Sequence, residues 1–245
     1  FMIATDSHGL TSRLEDRLRE YRKDGEGRRP LCTLAYAQSL DGCIALHPMS
    51  PLALSGRESM ALTHRLRAAH DAILVGIRTV LADNPRLTVR LAPGASPQPV
   101  ILDSRLRMPL EARLLENGER RPWIMTTGEA DPERCKRMEE RGGEVFRLPA
   151  TSRGRVALEP LLELLRLRGI RSLMVEGGGR VMSSFLQSRL VDQVVVTIAP
   201  VMVGGVRAYR RGRESPAVFP GLREVRYASF GLDLVLWGHP VWEDS

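Results

Sequence analysis

From Leu31 to Leu190 the chain alternates short apolar runs with longer stretches of helical spacing. A short apolar run bounded by turn residues reads as a buried strand. Strands separated by helices pair in parallel, so the alternation predicts a mainly parallel sheet with helices on both faces. The runs lie at residues 31–37, 71–76, 99–102, 123–127, 144–147 and 172–175, and helical patterns at 131–141, 156–168 and 179–189. A further helix starts at Ser55, where Glu58 completes a capping box and Met60, His64, Leu66 and Arg67 follow at helical spacing. From Thr79 a brief helix leads into a loop broken by Pro85.

After Leu190 the β-rich stretches 191–200 and 227–238 follow with only a Gly/Arg/Pro-rich loop between them. They predict an antiparallel hairpin added to the sheet edge. The expected fold is therefore α/β, with a mainly parallel central sheet, flanking helices and a C-terminal antiparallel hairpin. Residues 1–30 read as a polar extension, with a short surface helix around Leu14, Leu18 and Tyr21 and a linker at 26–30; residues 31–245 read as one domain.

The 36 Lys and Arg residues exceed the 29 acidic ones, and Lys occurs only at Lys23 and Lys136. The planar fork of Arg suits a phosphorylated ligand. Nucleic acid is a poor partner for this surface, because the charges of both signs are interspersed and aromatics are 5% of the chain. Cys32, Cys43 and Cys135 are too widely spaced for a disulfide framework or a CxxC metal site. No apolar run approaches the roughly 18 residues of a membrane span, and no leader pattern opens the chain, which points to the cytoplasm. His8, His47, His64, His70 and His239 form no H-E-x-x-H pair, and neither a nucleophile elbow nor a P-loop occurs. No metal is expected.

Residues 173–184 run from an apolar strand through Gly177, Gly178 and Gly179 into a helix. Such a turn lets backbone approach an anion at a helix N-terminus, or simply makes a tight strand-to-helix connection. Glu176 ends that strand, where α/β sheets place their ligands, and reads either as a hydrogen-bond acceptor for a ligand or as a surface cap. Asp41 and Asp83 sit at turns and read equally as Asx turns. Arg67, Arg86 and Arg90 read as a phosphate clamp or as solvated side chains.

Taken together, Ser39-Leu-Asp-Gly42, Asp71-Ala-Ile-Leu-Val-Gly76, Thr79-Val-Leu-Ala-Asp83-Asn-Pro-Arg-Leu-Thr-Val-Arg90, Val100-Ile-Leu-Asp-Ser104, Val175-Glu-Gly-Gly-Gly179 and Leu190-Val-Asp-Gln-Val with Ile198-Ala-Pro resemble the reductase family of riboflavin biosynthesis, over residues 31–237. This family occurs as the C-terminal half of a bacterial deaminase-reductase and as a stand-alone enzyme. The resemblance implies a dihydrofolate-reductase-like fold, a homodimer and NADPH as cofactor. It places NADPH against Ala37, Thr79, Asp83, Ser104, Gly178, Gly179, Arg180, Val181, Met182, Ser183 and Ser184. Arg67, Leu87, Arg90 and Glu176 would meet a ribosylamino-pyrimidine phosphate, with Glu176 or Asp41 orienting groups or relaying a proton. The implied reaction opens the ribose to a ribityl chain by hydride transfer to C1′. A reductase of another heterocycle, such as a pterin, and a non-catalytic NADPH sensor are the competing readings. The zinc signature of a deaminase is missing from these residues, and the stretch 43–54, with His47, Pro48 and Pro51, departs from the family pattern.

Overall fold

The computed structural model describes residues 7–24, 27–50, 52–116, 120–209 and 220–242. In chain order the elements are α1 (Ser7–Asp24), β1 (Leu31–Ser39), β2 (Cys43–Ala45), α2 (Arg57–Ala69), β3 (Ala72–Gly76), α3 (Ile77–Asp83), β4 (Gln98–Leu102), α4 (Arg113–Glu116) and β5 (Trp123–Thr127). There follow α5 (Pro132–Glu140), β6 (Glu144–Leu148), α6 (Leu158–Leu167), β7 (Ser172–Gly177), α7 (Gly179–Gln187), β8 (Gln193–Ala199), β9 (Val206–Arg207), β10 (Gly221–Phe230) and β11 (Asp233–Val241).

One 9-stranded sheet runs in the order β10-β11-β8-β1-β7-β3-β4-β5-β6. From β8 to β6 every pairing is parallel, and β10 and β11 are the antiparallel additions. The fold is thus the α/β architecture expected, with antiparallel strands at the C-terminus. The late strand β7 is inserted between β1 and β3, and β8 takes the other side of β1. Such a reversal of strand order opens a crevice at the carboxyl ends of the strands.

Both faces of the sheet are covered, which explains strands that are apolar on successive residues. Cys32, Leu34, Leu74, Val175 and Val196 pack on one side with Leu161, Leu165 of α6 and Phe185 of α7. Ile73, Val75, Ile101 and Ile124 face the opposite way with Val80 of α3 and Met138 of α5. On that same second side, Ala35, Met174 and Val195 meet Leu62 and Leu66 of α2 and Leu14 of α1. The N-terminal helix is accordingly longer than the short surface helix expected, and its Leu14 and Leu18 are buried. Part of the expected linker lies outside the described residues; Arg29 within it pairs bidentately with Asp192 at 2.6 and 2.7 Å.

Two expectations need correction. The N-cap of α2 is Gly56, with no side-chain cap bond, so Ser55 and Glu58 form no capping box. The cap comes from across the chain: buried Asp233 accepts from the Gly56 N–H at 2.7 Å and from the Ser59 hydroxyl. The stretch 191–200 does pair antiparallel with the end of 227–238, but the latter is not one strand. The latter stretch folds back on itself at Gly231 and Leu232 into β10 and β11, and β11 then pairs with β8. Gly231 has φ 64°, the left-handed conformation a tight hairpin needs, and the apolar alternation on either side hid that turn. The small sheet of β2 and β9 had no signal beyond its turn residues. The loop after β9 lies partly outside the described residues.

A buried relay fixes the far end of α2. Gln193 Nε2 donates to Thr33 Oγ1 at 2.7 Å, which lies 2.7 Å from His70 Nε2, and His70 Nδ1 donates to the Leu66 carbonyl at 2.6 Å. Trp237 Nε1 extends the chain to Gln193 Oε1 at 3.1 Å. Six residues before His70, buried His64 accepts the Arg90 N–H on Nδ1 at 3.0 Å, pinning the loop after α3 to α2. Burial, and then the charges of Arg67 and Arg90, lower the His64 pKa to about 4.

A folded-state pKa below the unfolded value near 6.5 makes stability complete above that value and lost as pH falls from about 6.5 toward 4. Urea denaturation across this window should show that loss. In His64→Asn, which keeps an acceptor for the Arg90 N–H without the titration, the dependence should flatten. An unchanged slope would remove His64 from the account.

Candidate active site

A cleft of about 1210 Å³ opens at the carboxyl ends of β1, β3, β4, β7 and β8. Pockets for a single drug-sized ligand run to roughly 1,000 Å³, so this one exceeds what one such ligand needs. Its floor comes from strand ends such as Tyr36, Ala37, Glu176 and Thr197, and its walls from α2, the turn into α3, the turn into α7 and the loop 151–156.

At one end of the floor, Arg67 of α2 meets Glu176 of β7. Nε donates to Oε1 at 2.7 Å and Nη2 to Oε2 at 2.6 Å, a bidentate pair whose side chains are only 12% and 13% exposed. Burial alone would lower the Arg67 pKa, but the charge of Glu176 and its hydrogen bonds outweigh that and raise it. Arg67 therefore keeps its charge. Arg67 Nη1 also donates to the Thr88 carbonyl at 3.1 Å, which draws the loop after α3 to this end of the cleft.

The glycine turn forms the middle. Gly177 and Gly178 have φ 143° and 80°, conformations that L side chains rarely adopt. A Cβ on Gly178 would stand 3.1 Å from Thr79 Oγ1, and one on Gly179 would stand 3.0 Å from the Ala208 carbonyl. Gly76 has an ordinary φ of −85°, and its constraint is steric: a Cβ there would lie 2.7 Å from Val181 Cγ2 of α7. These glycines bring the starts of α3 and α7 side by side. The first-turn N–H groups of α7 therefore open into the cleft beside Thr79.

The mouth at that side is cationic. Burial and then the charges of Arg78, Arg155 and Arg107 depress the Arg180 pKa, so these arginines lie close enough to feel one another. Ser104, at the end of β4, is fixed nearby: its hydroxyl accepts the Val156 N–H at 3.1 Å, and its carbonyl accepts the Thr126 and Thr127 hydroxyls at 3.1 and 2.9 Å.

Of the residues singled out in the sequence, Ala37, Thr79, Asp83, Ser104, Arg67, Glu176 and every residue from Gly178 to Ser184 border this one cleft. Leu87 does not: it is buried among Val80, Leu106 and Leu114 in spite of a φ of 55°. Arg90 is exposed beyond the wall, with Nη1 donating to Thr88 Oγ1 at 3.1 Å, although the Thr88 contact keeps its loop beside Arg67. Asp41 lies outside the wall as well. Its carboxylate accepts from the Ser39 hydroxyl at 2.5 Å and from the Val203 and Gly204 N–H groups at 3.0 and 2.7 Å, bonds that hold its pKa well below the usual carboxylate range. Residues missed in the sequence are Tyr36, Thr197, Arg78, Arg107 and the loop 151–156. Tyr36 and Thr197 occupy strand carboxyl ends, a rule that would have found them; the arginines carried no local signal.

Among the described residues no group of three His, Cys, Asp or Glu side chains is placed to hold a metal, and no helix is long and apolar enough to cross a membrane.

The model of the RibD C-terminal domain matches residues 30–236. A 2,5-diamino-6-ribosylamino-4(3H)-pyrimidinone 5′-phosphate reductase of Archaeoglobus fulgidus is 39% identical over 203 residues, covering 79% of this chain and 87% of the relative. A protein of the same name from Methanothermobacter thermautotrophicus is 45% identical over 180 residues, 72% of this chain and 81% of the relative. Among solved structures, a riboflavin biosynthesis reductase of Saccharomyces cerevisiae superposes with TM-score 0.72 at 29% identity, over 93% of this chain and 99% of that one. RibD of Acinetobacter baumannii superposes with TM-score 0.74 at 27% identity, over 87% of this chain but 59% of that one. The chain belongs to the RibD C-terminal domain family, the reductases of riboflavin biosynthesis.

Proposed function

We propose that this protein is an NADPH-dependent reductase that converts the ribosyl group of a ribosylamino-pyrimidine 5′-phosphate to a ribityl chain. The observation that carries this reading is the lining of one cleft, which holds the glycine turn beside Thr79, the four arginines Arg78, Arg107, Arg155 and Arg180, and the Arg67–Glu176 pair. The names of the two archaeal relatives favour the diamino-pyrimidinone as substrate. By family resemblance the enzyme works as a cytoplasmic homodimer.

The residues fit the cofactor. A side chain at Gly178 or Gly179 would fill the space in which a pyrophosphate approaches the α7 N-terminus, and Thr79 stands next to it. Arg78, Arg107, Arg155 and Arg180 suit the additional phosphate that distinguishes NADPH from NADH. Bound there, the reduced nicotinamide supplies a hydride to C1′ of the substrate. Ala37, Asp83, Ser104 and residues 180–184 complete its walls.

The substrate takes the other end. Glu176 accepts hydrogen bonds at the floor and keeps Arg67 in a single orientation. A phosphate is drawn by Arg67, and by Arg90 on the loop that the Thr88 carbonyl ties to Arg67. Once the ribose has opened to an imine, C1′ is electrophilic without a nucleophile or a metal. The protein's work is to hold C1′ against the cofactor and exclude water while one proton reaches the amine nitrogen or the released ring oxygen. Asp41 acts at a distance, by holding residues 203–204 and with them β9, which backs the glycine turn.

The test is NADPH oxidation with the diamino and the deaminated substrates supplied separately. Turnover of the diamino compound is expected, and binding of NADPH without turnover of either would reject a reductase of this pathway. Glu176→Gln breaks the bidentate pair and leaves a nearly buried guanidinium partly unmatched; kcat/KM for the pyrimidine should fall by more than about tenfold with NADPH affinity within about twofold of wild type. Gly76→Ala should do the reverse, displacing the first turn of α7 and weakening NADPH several-fold more than the pyrimidine. NADPH should be preferred to NADH, and the preference should shrink in Arg180→Ala and on raising salt.

A further inference from the structure

The sequence motif ending β4 contains a carboxylate that the proposed reaction does not use. Asp103 is completely buried, and Oδ1 has no hydrogen-bond partner among the described residues. An orphaned carboxylate oxygen in a protein interior is costly unless a charge lies near it. The nearest is Arg107, whose Nε stands 3.9 Å from Oδ1 while its side chain is 51% exposed at the cleft mouth.

The segment between them is fixed at every other residue. Asp103 Oδ2 accepts the Met108 N–H at 2.7 Å, and the Asp103 carbonyl accepts the Leu106 N–H at 2.9 Å. Leu106 and Met108 are wholly buried, and Leu106 is held at φ 50°. From α5, Arg134 donates to both their carbonyls, through Nε to Leu106 and through Nη2 to Met108 at 2.8 Å. Arg107 is thus an exposed residue between two nailed ones. Its backbone is held on both sides, and the guanidinium nitrogen that stands 3.9 Å from Asp103 Oδ1 is Nε, an ion-pair separation rather than a hydrogen bond.

We infer that Asp103 is a positioning residue for cofactor choice: it holds Arg107 by Nε so that the two terminal nitrogens face the phosphate that NADPH carries and NADH lacks. This rests on the cationic mouth being the site of that phosphate. An Arg aimed by a carboxylate behind it loses less freedom on binding than one free to wander. Asp103→Asn keeps an acceptor for the Met108 N–H but removes the charge and turns a donor or a neutral oxygen toward Arg107.

Calorimetric titration of NADP+ and NAD+ into the wild type, Asp103→Asn, Arg107→Ala and the double variant tests this without turnover. Asp103→Asn should weaken NADP+ about fivefold to tenfold and leave NAD+ within about twofold. In the Arg107→Ala background it should add nothing. Arg107→Lys, an exposed change that keeps the charge but not the inward Nε, should lose about as much as Asp103→Asn and does not depend on the buried site tolerating substitution. Equal weakening of both nucleotides, additive losses in the double variant, or an NADP+ affinity unchanged or improved in Asp103→Asn would overturn the positioning role. A wild type that binds NADP+ no better than NAD+ would instead overturn the reading of the mouth itself.

Discussion

Arg67 and Glu176 are 109 residues apart in the chain and are joined by two charge-assisted hydrogen bonds of 2.6 and 2.7 Å at the floor of the cleft. Bringing a charged pair this far out of water is costly unless its geometry is nearly ideal. The fold is arranged to provide that geometry. Helix α2 is capped by Asp233 from the C-terminal hairpin, tied at its end through His70, Thr33 and Gln193, and packed on the sheet by Leu62 and Leu66. Strand β7 is locked between β1 and β3. Neither partner can move without disturbing elements from both ends of the chain.

The glycine turn obeys a steric constraint rather than an electrostatic one. Close approach of α3 and α7 depends on Gly76, Gly178 and Gly179, and it leaves backbone N–H groups facing the same space that Arg67 and Glu176 border. Inserting β7 between β1 and β3 is what sets these two regions next to each other. In the proposed reaction one region holds the hydride donor and the other the acceptor, so topology does the work of orientation.

Much of this was legible in the residues. The parallel strands were visible because two-sided burial makes them continuously apolar, and the glycine turn because left-handed backbone demands glycine. What escaped depended on partners distant in sequence. The cap of α2 is supplied by Asp233, which no local pattern around Ser55 reveals. The hairpin turn at Gly231 interrupts a stretch apolar enough to read as one strand. Asp41 looked like a candidate for chemistry, whereas its carboxylate is spent on the backbone of Val203 and Gly204. The cationic mouth gathers arginines from four separate segments, each ordinary in its own neighbourhood.

In the proposed reaction a hydride crosses this cleft to C1′ of the sugar rather than to the heterocycle. NADPH carrying deuterium at the transferable position of the nicotinamide, incubated with the enzyme and the diamino-pyrimidinone phosphate, tests it directly by NMR of the product. One deuterium at C1′ of a ribityl chain is the expected product. Deuterium in the pyrimidine ring, or reduction without transfer of the label, would contradict it.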